Sequence, residues 1–309
     1  MRYAPLGELE VSIVGLGCNN FGGRVDLAGT KAVVDAALDA GINHLDTANI
    51  YGNKGGSERF LGELLEGRRD RVVLATKFGM DMGDGETARG RRDYVRRAVE
   101  GSLRRLRTDR VDLLYYHRPD GVTPFEETLE AMDALVGEGK ARQLAVSNLT
   151  AEQLDEVAAI AGQEGLTPVV ALQNDYSLLE REAERDVLPR CGELGIAFVP
   201  YFPLASGLLT GKYRRGAPAP EGTRLHGQDD RLTPEVFDTI ERLEAFARER
   251  GHSLVELAIA ALDSRPEIPT VIAGATKAEQ VRANAAAADW VLDEDEREEL
   301  ARLTSAAAG

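Results

Sequence analysis

The sequence predicts an α/β fold, a (β/α)8 barrel. Three observations carry that expectation. Eight short β-rich runs alternate with eight helical stretches, no shift in composition divides the 309 residues, and the runs are aliphatic within but end in polar groups. Strands that alternate with helices pair in parallel, and eight units closing on themselves make a barrel of the TIM type, with an open doubly wound sheet as the alternative. Residues 1–309 therefore read as a single domain.

The elements follow in order. Val11 to Leu16 is the first apolar run, and a helix from Thr30 to Ala40 follows, stopped by Gly41. Ile42 to Asp46 precedes a helix from Ser57 to Leu65, and Arg71 to Thr76 precedes one from Arg92 to Leu106. Val111 to Tyr116 pairs in sequence with Phe125 to Glu138, and Ala141 to Val146 with Ala151 to Glu164. Val169 to Leu172 leads to Ala183–Leu194, and Ile196 to Pro200 leads, across a long insertion, to Leu254–Ser264. Thr270 to Ala273 and Ala278 to Ala288 complete the series. Two helices stand outside it: an extra one between strand 7 and strand 8, Pro234 to Arg250, and a C-terminal one near Glu294 to Leu303. Thr123, Thr150 and Thr276 read as N-caps, with Glu or Gln three residues on. Arg214 to Asp230, with Gly and Pro but no period, reads as a mobile surface loop.

Composition narrows the function. A net charge of −15 disfavours nucleic acid and anionic membranes as partners. The two cysteines, Cys18 and Cys191, have neither a disulfide framework's pattern nor a metal-ligand spacing, so no metal is expected and a reducing cytoplasm fits. Met1-Arg2-Tyr3-Ala4-Pro5 opens the chain without an apolar leader, and no window nears the roughly 18 apolar residues of a membrane span.

Active sites in such barrels form at the carboxyl ends of the strands. There the sequence sets Asp46, with Tyr51 in the following loop, then Lys77, His117, Ser147-Asn148, Gln173-Asn174 and Tyr201. Each of Asp46, Tyr51, Lys77 and His117 has an ordinary reading alone: a cap, loop packing, a surface amine, a core histidine. Together they compose one chemistry. A free tyrosine titrates at about 10, too high for an efficient acid at neutral pH. An ammonium from Lys77 lowers that value, and Asp46 keeps the buried amine charged. His117 orients a substrate oxygen. Tyr51 can then give a proton to a developing alkoxide, which is the task of carbonyl reduction with hydride from a nicotinamide.

At these residues the chain resembles the aldo-keto reductase superfamily over nearly its whole length. The motifs run from Gly41-Ile42-Asn43-His44-Leu45-Asp46-Thr47-Ala48 to Tyr51-Gly52, through Ala75-Thr76-Lys77 and Asp112-Leu113-Leu114-Tyr115-Tyr116-His117-Arg118-Pro119-Asp120, to Val146-Ser147-Asn148, Leu172-Gln173-Asn174 and Gly207-Leu208-Leu209-Thr210-Gly211-Lys212-Tyr213. The resemblance implies a catalytic tetrad of Tyr51 as general acid, Lys77 and Asp46 as its tuning pair, and His117 as the carbonyl-orienting group. It implies that Ser147, Asn148 and Gln173 grip the cofactor carboxamide beside Asp46, that Tyr201 stacks on the nicotinamide, and that the Gly17-Cys18-Asn19 turn borders the same end. Phe202, Pro203, Leu204, Ala205, Gly207 and Lys212 fall in the stretch that cradles the pyrophosphate, and Gly274, Thr276, Lys277, Gln280 and Asn284 at the adenosine end. By position, Asn19, Phe21, Tyr51, Phe78 and His117 line the substrate pocket, with Tyr116 nearby.

A helix start near Thr276 and the charge of Lys277 suit a 2′-phosphate and favour NADPH. Gly274 and Gln280 stand where many members carry basic residues, and Ala283 where a Glu is common, which leaves NADH as an alternative. The partner implied is a small-molecule carbonyl, and the family implies a monomer or weak homo-oligomer. A second reading is a cofactor-binding regulatory subunit like the potassium-channel β subunits, against which the chain's lack of an N-terminal extension is taken to speak. A third is a barrel hydrolase built on Asp46, which leaves Lys77 unexplained and finds no second strand-end carboxylate.

Overall fold

An antiparallel hairpin of β1 (Tyr3–Leu6) and β2 (Leu9–Ser12) opens the chain in the computed structural model, which describes residues 1–305. Gly7 makes its turn at φ +58°, and a Cβ there would stand 2.6 Å from Gln143 and 2.9 Å from Val170. The hairpin corrects the reading of Val11 to Leu16 as one strand. The run breaks at Ile13, and only β3 (Val14–Gly17) enters the barrel. No Gly or Pro marks the bend, which instead is pinned from outside: the Ser12 N–H donates to Asn43 Oδ1 at 2.7 Å. Leu6, Leu9 and Val11 then plug the amino-terminal mouth of the barrel, packed on Leu113, Ala145 and Val199.

Eight parallel strands form that barrel: β3, β4 (His44–Asp46), β5 (Val73–Phe78), β6 (Val111–Tyr116), β7 (Ala141–Ser147), β8 (Val169–Asp175), β9 (Ala197–Tyr201) and β10 (Val271–Gly274). They pair in chain order, with β10 beside β3. Between β9 and β10 the Phe198 N–H donates to the Glu267 carbonyl at 2.8 Å and nearly closes the cylinder. Around it lie α1 (Leu27–Asp39), α2 (Tyr51–Leu64), α3 (Arg92–Leu106), α4 (Phe125–Gly137), α5 (Ala151–Glu164), α6 (Val187–Leu194), α8 (Leu254–Asp263) and α9 (Ala278–Ala286). The extra helix α7 (Pro234–Glu249) and the C-terminal α10 (Glu294–Ser305) share a second core, where Phe237 and Leu243 meet Trp290 and Leu300. Both fall where the sequence sets them.

Strand alternation decides which side chains reach the site. On β5, Ala75 faces the barrel interior with Lys77, while Leu74 and Phe78 face the helices. Phe78 stacks on Tyr116 of β6 with ring centroids 5.2 Å apart, and both are buried. The placement of Phe78 in the substrate pocket is therefore corrected to the outer layer, where Tyr116, expected nearby, also lies. Phe21 is corrected likewise: it is fully buried in that layer and lines no open surface.

Two caps also differ. Pro124, not Thr123, is the N-cap of α4, because the Thr123 hydroxyl donates to Asp120 Oδ2 at 2.8 Å instead of capping. Lys277, not Thr276, is the N-cap of α9. The Thr150–Gln153 capping box of α5 is as read. The 214–230 loop is tied down more than its composition suggests. Leu225 and Ala219 are buried, and Arg24 donates to the Gly222 carbonyl at 2.9 Å.

Candidate active site

The register lines up Gly274, Gly17 and Asp46 on β10, β3 and β4, with Ser147 and Gln173 level on β7 and β8. Glycines at two adjacent strand ends leave the rim there bare. The polar ends of the other strands converge on the mouth.

Lys77 is the centre of the cluster. It is fully buried, its Nζ donates to Asp46 Oδ2 at 2.5 Å and to the Thr47 carbonyl at 3.0 Å. Its third N–H is left for the space between the Tyr51 and Tyr115 rings, whose centroids lie 5.3 and 5.4 Å from the nitrogen. Burial, the largest single influence, pulls the amine toward neutrality, but the Asp46 charge and hydrogen bond together with Tyr51 and Cys18 hold Lys77 above the ordinary lysine value. Asp46 has no spare oxygen, since its Oδ1 accepts from Gln173 Nε2 at 3.1 Å.

Tyr51 reaches the cluster through an unusual backbone. Gly52, Asn53, Lys54 and Gly55 all have positive φ before α2 turns regularly right-handed. Such a run is strained for Asn53 and Lys54 and is typical of backbone held in place for a purpose. It sets the Tyr51 ring edge-on to His117, with centroids 5.8 Å apart. Burial raises the phenol above its ordinary value and the Lys77 charge draws it back only in part. This corrects the sequence argument. The ammonium acts in the expected sense, but desolvation of the phenolate is the larger effect.

His117 is held neutral. Burial, then the charges of Lys77 and Arg118, depress its pKa to about 3. Its Nδ1 is buried with no hydrogen-bond partner among the described residues, and the Tyr115 hydroxyl lies below, near Gln173.

A second polar group continues the rim. Ser147 Oγ donates to the Gln173 carbonyl at 2.6 Å, and Asn148 Nδ2 donates to the His117 carbonyl at 2.9 Å and to Ser147 Oγ at 3.0 Å. Asn148 Oδ1 accepts from the Tyr201 hydroxyl at 2.8 Å, with Asn148 itself at φ +61°. Tyr201 is half-buried and its ring meets that of exposed Phe202 at 5.1 Å. Beyond it Phe202, Ala205, Ser206 and Gly207 all have positive φ. Gly207 is bare for a reason: a Cβ would stand 2.2 Å from Lys212 Nζ. Pro203 is buried and Leu204 half-buried in this turn. Successive backbone amides in such turns form concave anion sites, so this stretch is a cradle with a cation against it.

Cys18 is fully buried, so only its backbone can border the mouth, and its N–H donates to the Asp46 carbonyl at 2.9 Å. Asn19 is half-buried, with Oδ1 at 3.6 Å from where a Gly274 Cβ would stand. At α9 the Gln280 side chain accepts from the Thr276 N–H at 2.7 Å and the Lys277 N–H at 3.2 Å. Lys277 is exposed and Asn284 buried. Two groups were not foreseen. Arg224, from the aperiodic loop, sets its guanidinium 4.8 Å over Phe202 with no carboxylate partner among the described residues. Asp175 closes β8 beside Tyr201, and burial, then Glu180, pushes its carboxyl up to about 6. Among the described residues there is no group of three His, Cys, Asp or Glu that could hold a metal, and no helix long and apolar enough to cross a membrane.

Residues 13–305 match the model of the aldo/keto reductase family. The chain is 36% identical to a probable voltage-gated potassium channel subunit beta of Oryza sativa subsp. japonica, over 94% of this chain and 92% of that protein. It is 34% identical to aldo-keto reductase YhdN of Bacillus subtilis, over 97% and 92%. It is 33% identical to an L-glyceraldehyde 3-phosphate reductase of Escherichia coli, over 92% and 86%.

Proposed function

The chain belongs to the aldo/keto reductase family, oxidoreductases that act on small-molecule carbonyls with a nicotinamide cofactor, and from that premise we propose that it reduces aldehydes or ketones to alcohols with Tyr51 as proton donor and NADPH as preferred cofactor. One observation carries the reading: a fully buried ammonium, ion-paired to Asp46, sits 5.3 Å from the Tyr51 ring, and that ring meets neutral His117 edge-on.

The residues fit the cofactor. The strained 202–207 turn with Lys212 against it, and Arg224 over Phe202, supply the cationic cradle that a diphosphate needs in a chain of net charge −15. Tyr201 offers a ring face, and Gln173, Ser147 and Asn148 offer fixed amide and hydroxyl groups for a carboxamide. When bound, the cofactor supplies hydride to the carbonyl carbon. His117, being neutral, holds the substrate oxygen by a hydrogen bond without delivering a charge. Tyr51 gives its proton to that oxygen as negative charge develops, and Lys77 stabilises the phenolate left behind.

The pH dependence tests these roles. His117 is depressed to about 3, so it stays neutral, and Tyr51 is raised, so it stays protonated, from about pH 5 to 9. Reduction is therefore expected to be flat over that window and to fall only above it. Alcohol oxidation needs the phenolate and is expected to climb with pH across the same range. Steady-state rates in both directions check this, and an acidic limb near 6.5 in the reduction profile that vanishes with His117→Gln is the adverse result.

The cofactor choice rests on Lys277, exposed at the start of α9. Lys277→Ala is expected to raise KM for NADPH about tenfold or more while leaving that for NADH within a factor of about two. An equal rise for both cofactors removes the basis for preferring NADPH. The similarity to a protein named as a channel β subunit favours a second reading, a cofactor-binding subunit with slow turnover. Tight NADPH binding with scarcely any aldehyde-dependent oxidation is its mark.

A further inference from the structure

The rim beside Tyr51 and His117 has more positive charge than the reaction needs. Arg118 follows His117 in the turn after β6, exposed, and among the described residues its one side-chain hydrogen bond is long, 3.5 Å from Nη2 to Asn148 Oδ1. That same amide bonds the His117 carbonyl and the Tyr201 hydroxyl, and the Arg118 charge is felt at both the His117 and Tyr201 side chains. No carboxylate pairs with it among the described residues. The neighbouring ones are committed: Asp46 to Lys77 and Gln173, and Asp120 to the N–H groups of Gly90, Val122 and Thr123. Asp175 senses Glu180 and Arg231 instead. In a chain with a surplus of 52 acidic over 37 basic residues, an arginine left unpaired at the mouth is conspicuous.

We propose that Arg118 selects carbonyl substrates that carry an anionic group, a carboxylate or a phosphate ester, by pairing with that group while the carbonyl lies between Tyr51 and His117. The proposal rests on the reductase reading above. A guanidinium presents a planar fork of donors that matches either oxyanion. Arg224, stacked on Phe202, also stands near this mouth, close enough to Tyr51 to interact with it electrostatically.

Two pairs of aldehydes test it: 4-carboxybenzaldehyde against benzaldehyde, and glyceraldehyde 3-phosphate against glyceraldehyde. Wild type is expected to use the anionic member of at least one pair about 10- to 100-fold better in kcat/KM, mostly through KM. Whether carboxylate or phosphate gains more identifies the source of the anion. Arg118→Met is expected to collapse the ratio within the pair, and Arg118→Lys to keep part of it. Added salt is expected to raise KM for the anionic member alone. Calorimetry of 4-(hydroxymethyl)benzoate on the cofactor-loaded protein gives a readout apart from turnover, with binding weakened in Arg118→Met. A wild type that reduces the neutral aldehydes with no preference for the anionic ones, or a ratio unmoved by Arg118→Met, overturns this proposal and leaves the reductase reading standing. A wild type that reduces none of the four overturns both.

Discussion

Tyr51→Phe is expected to lower kcat/KM for aldehyde reduction by about 100- to 10,000-fold, with cofactor affinity little changed. The substitution removes one hydroxyl from a half-buried ring and keeps the edge-on contact with His117, so the barrel is expected to lose no more than about 1 kcal/mol of stability. What it deletes is the phenol that stands edge-on to His117 and next to the Lys77 ammonium, the proton donor of the proposed reaction. Lys77 is held charged by Asp46 and bonded to it and to Thr47, and His117, depressed to about 3 by burial, has no second proton to give at neutral pH. Because the phenol sits above its ordinary value, its proton is surrendered only as the alkoxide forms, and the loss belongs in kcat rather than KM. Kinetics with NADPH, beside fluorescence titration of the cofactor, check the split. A variant that keeps a tenth or more of the wild-type rate assigns the proton to another donor.

Much of this site was legible because parallel strands buried on both faces read as aliphatic runs, against which a polar terminus stands out. Asp46, Lys77, His117, Ser147 and Gln173 were found that way, and the structure brings them to one mouth. Helix α3 and helix α5 were legible to the residue because charge and capping mark their ends. The hairpin was not, since the apolar run from Val11 crosses its break without a turn residue. Asp175 was hidden because β8 runs on through polar Gln173-Asn174-Asp175 after its aliphatic part stops. Arg224 lies in a stretch with no period, so nothing local says where its side chain goes. The balance on Tyr51 was beyond the sequence for a different reason. The sign of Lys77's effect follows from residue types, but the larger burial effect depends on how tightly the mouth packs, which only the assembled barrel sets.

That balance makes the Asp46–Lys77 pair the sharpest test of how the site is held. Lys77→Met is expected to cost about 3–5 kcal/mol of stability, because it strands a carboxylate that is 3% exposed with only Gln173 to bond it. Activity is expected to fall about 100-fold or more, since the phenolate then forms without a neighbouring charge and Tyr51 becomes a weaker acid still. A single variant cannot separate damage to the barrel from loss of the charge. The double variant Asp46→Asn, Lys77→Met can. It leaves a neutral amide and a thioether of suitable size, removes the stranded charge, and is expected to recover most of the stability. It restores no ammonium beside Tyr51, so reduction is expected to stay as slow as in Lys77→Met. Thermal unfolding and single-turnover reduction on the three proteins measure both quantities. Recovery of rate along with stability reduces Lys77 to a structural counter-charge. Recovery of stability alone makes the ammonium the means by which a desolvated phenol can still part with a proton.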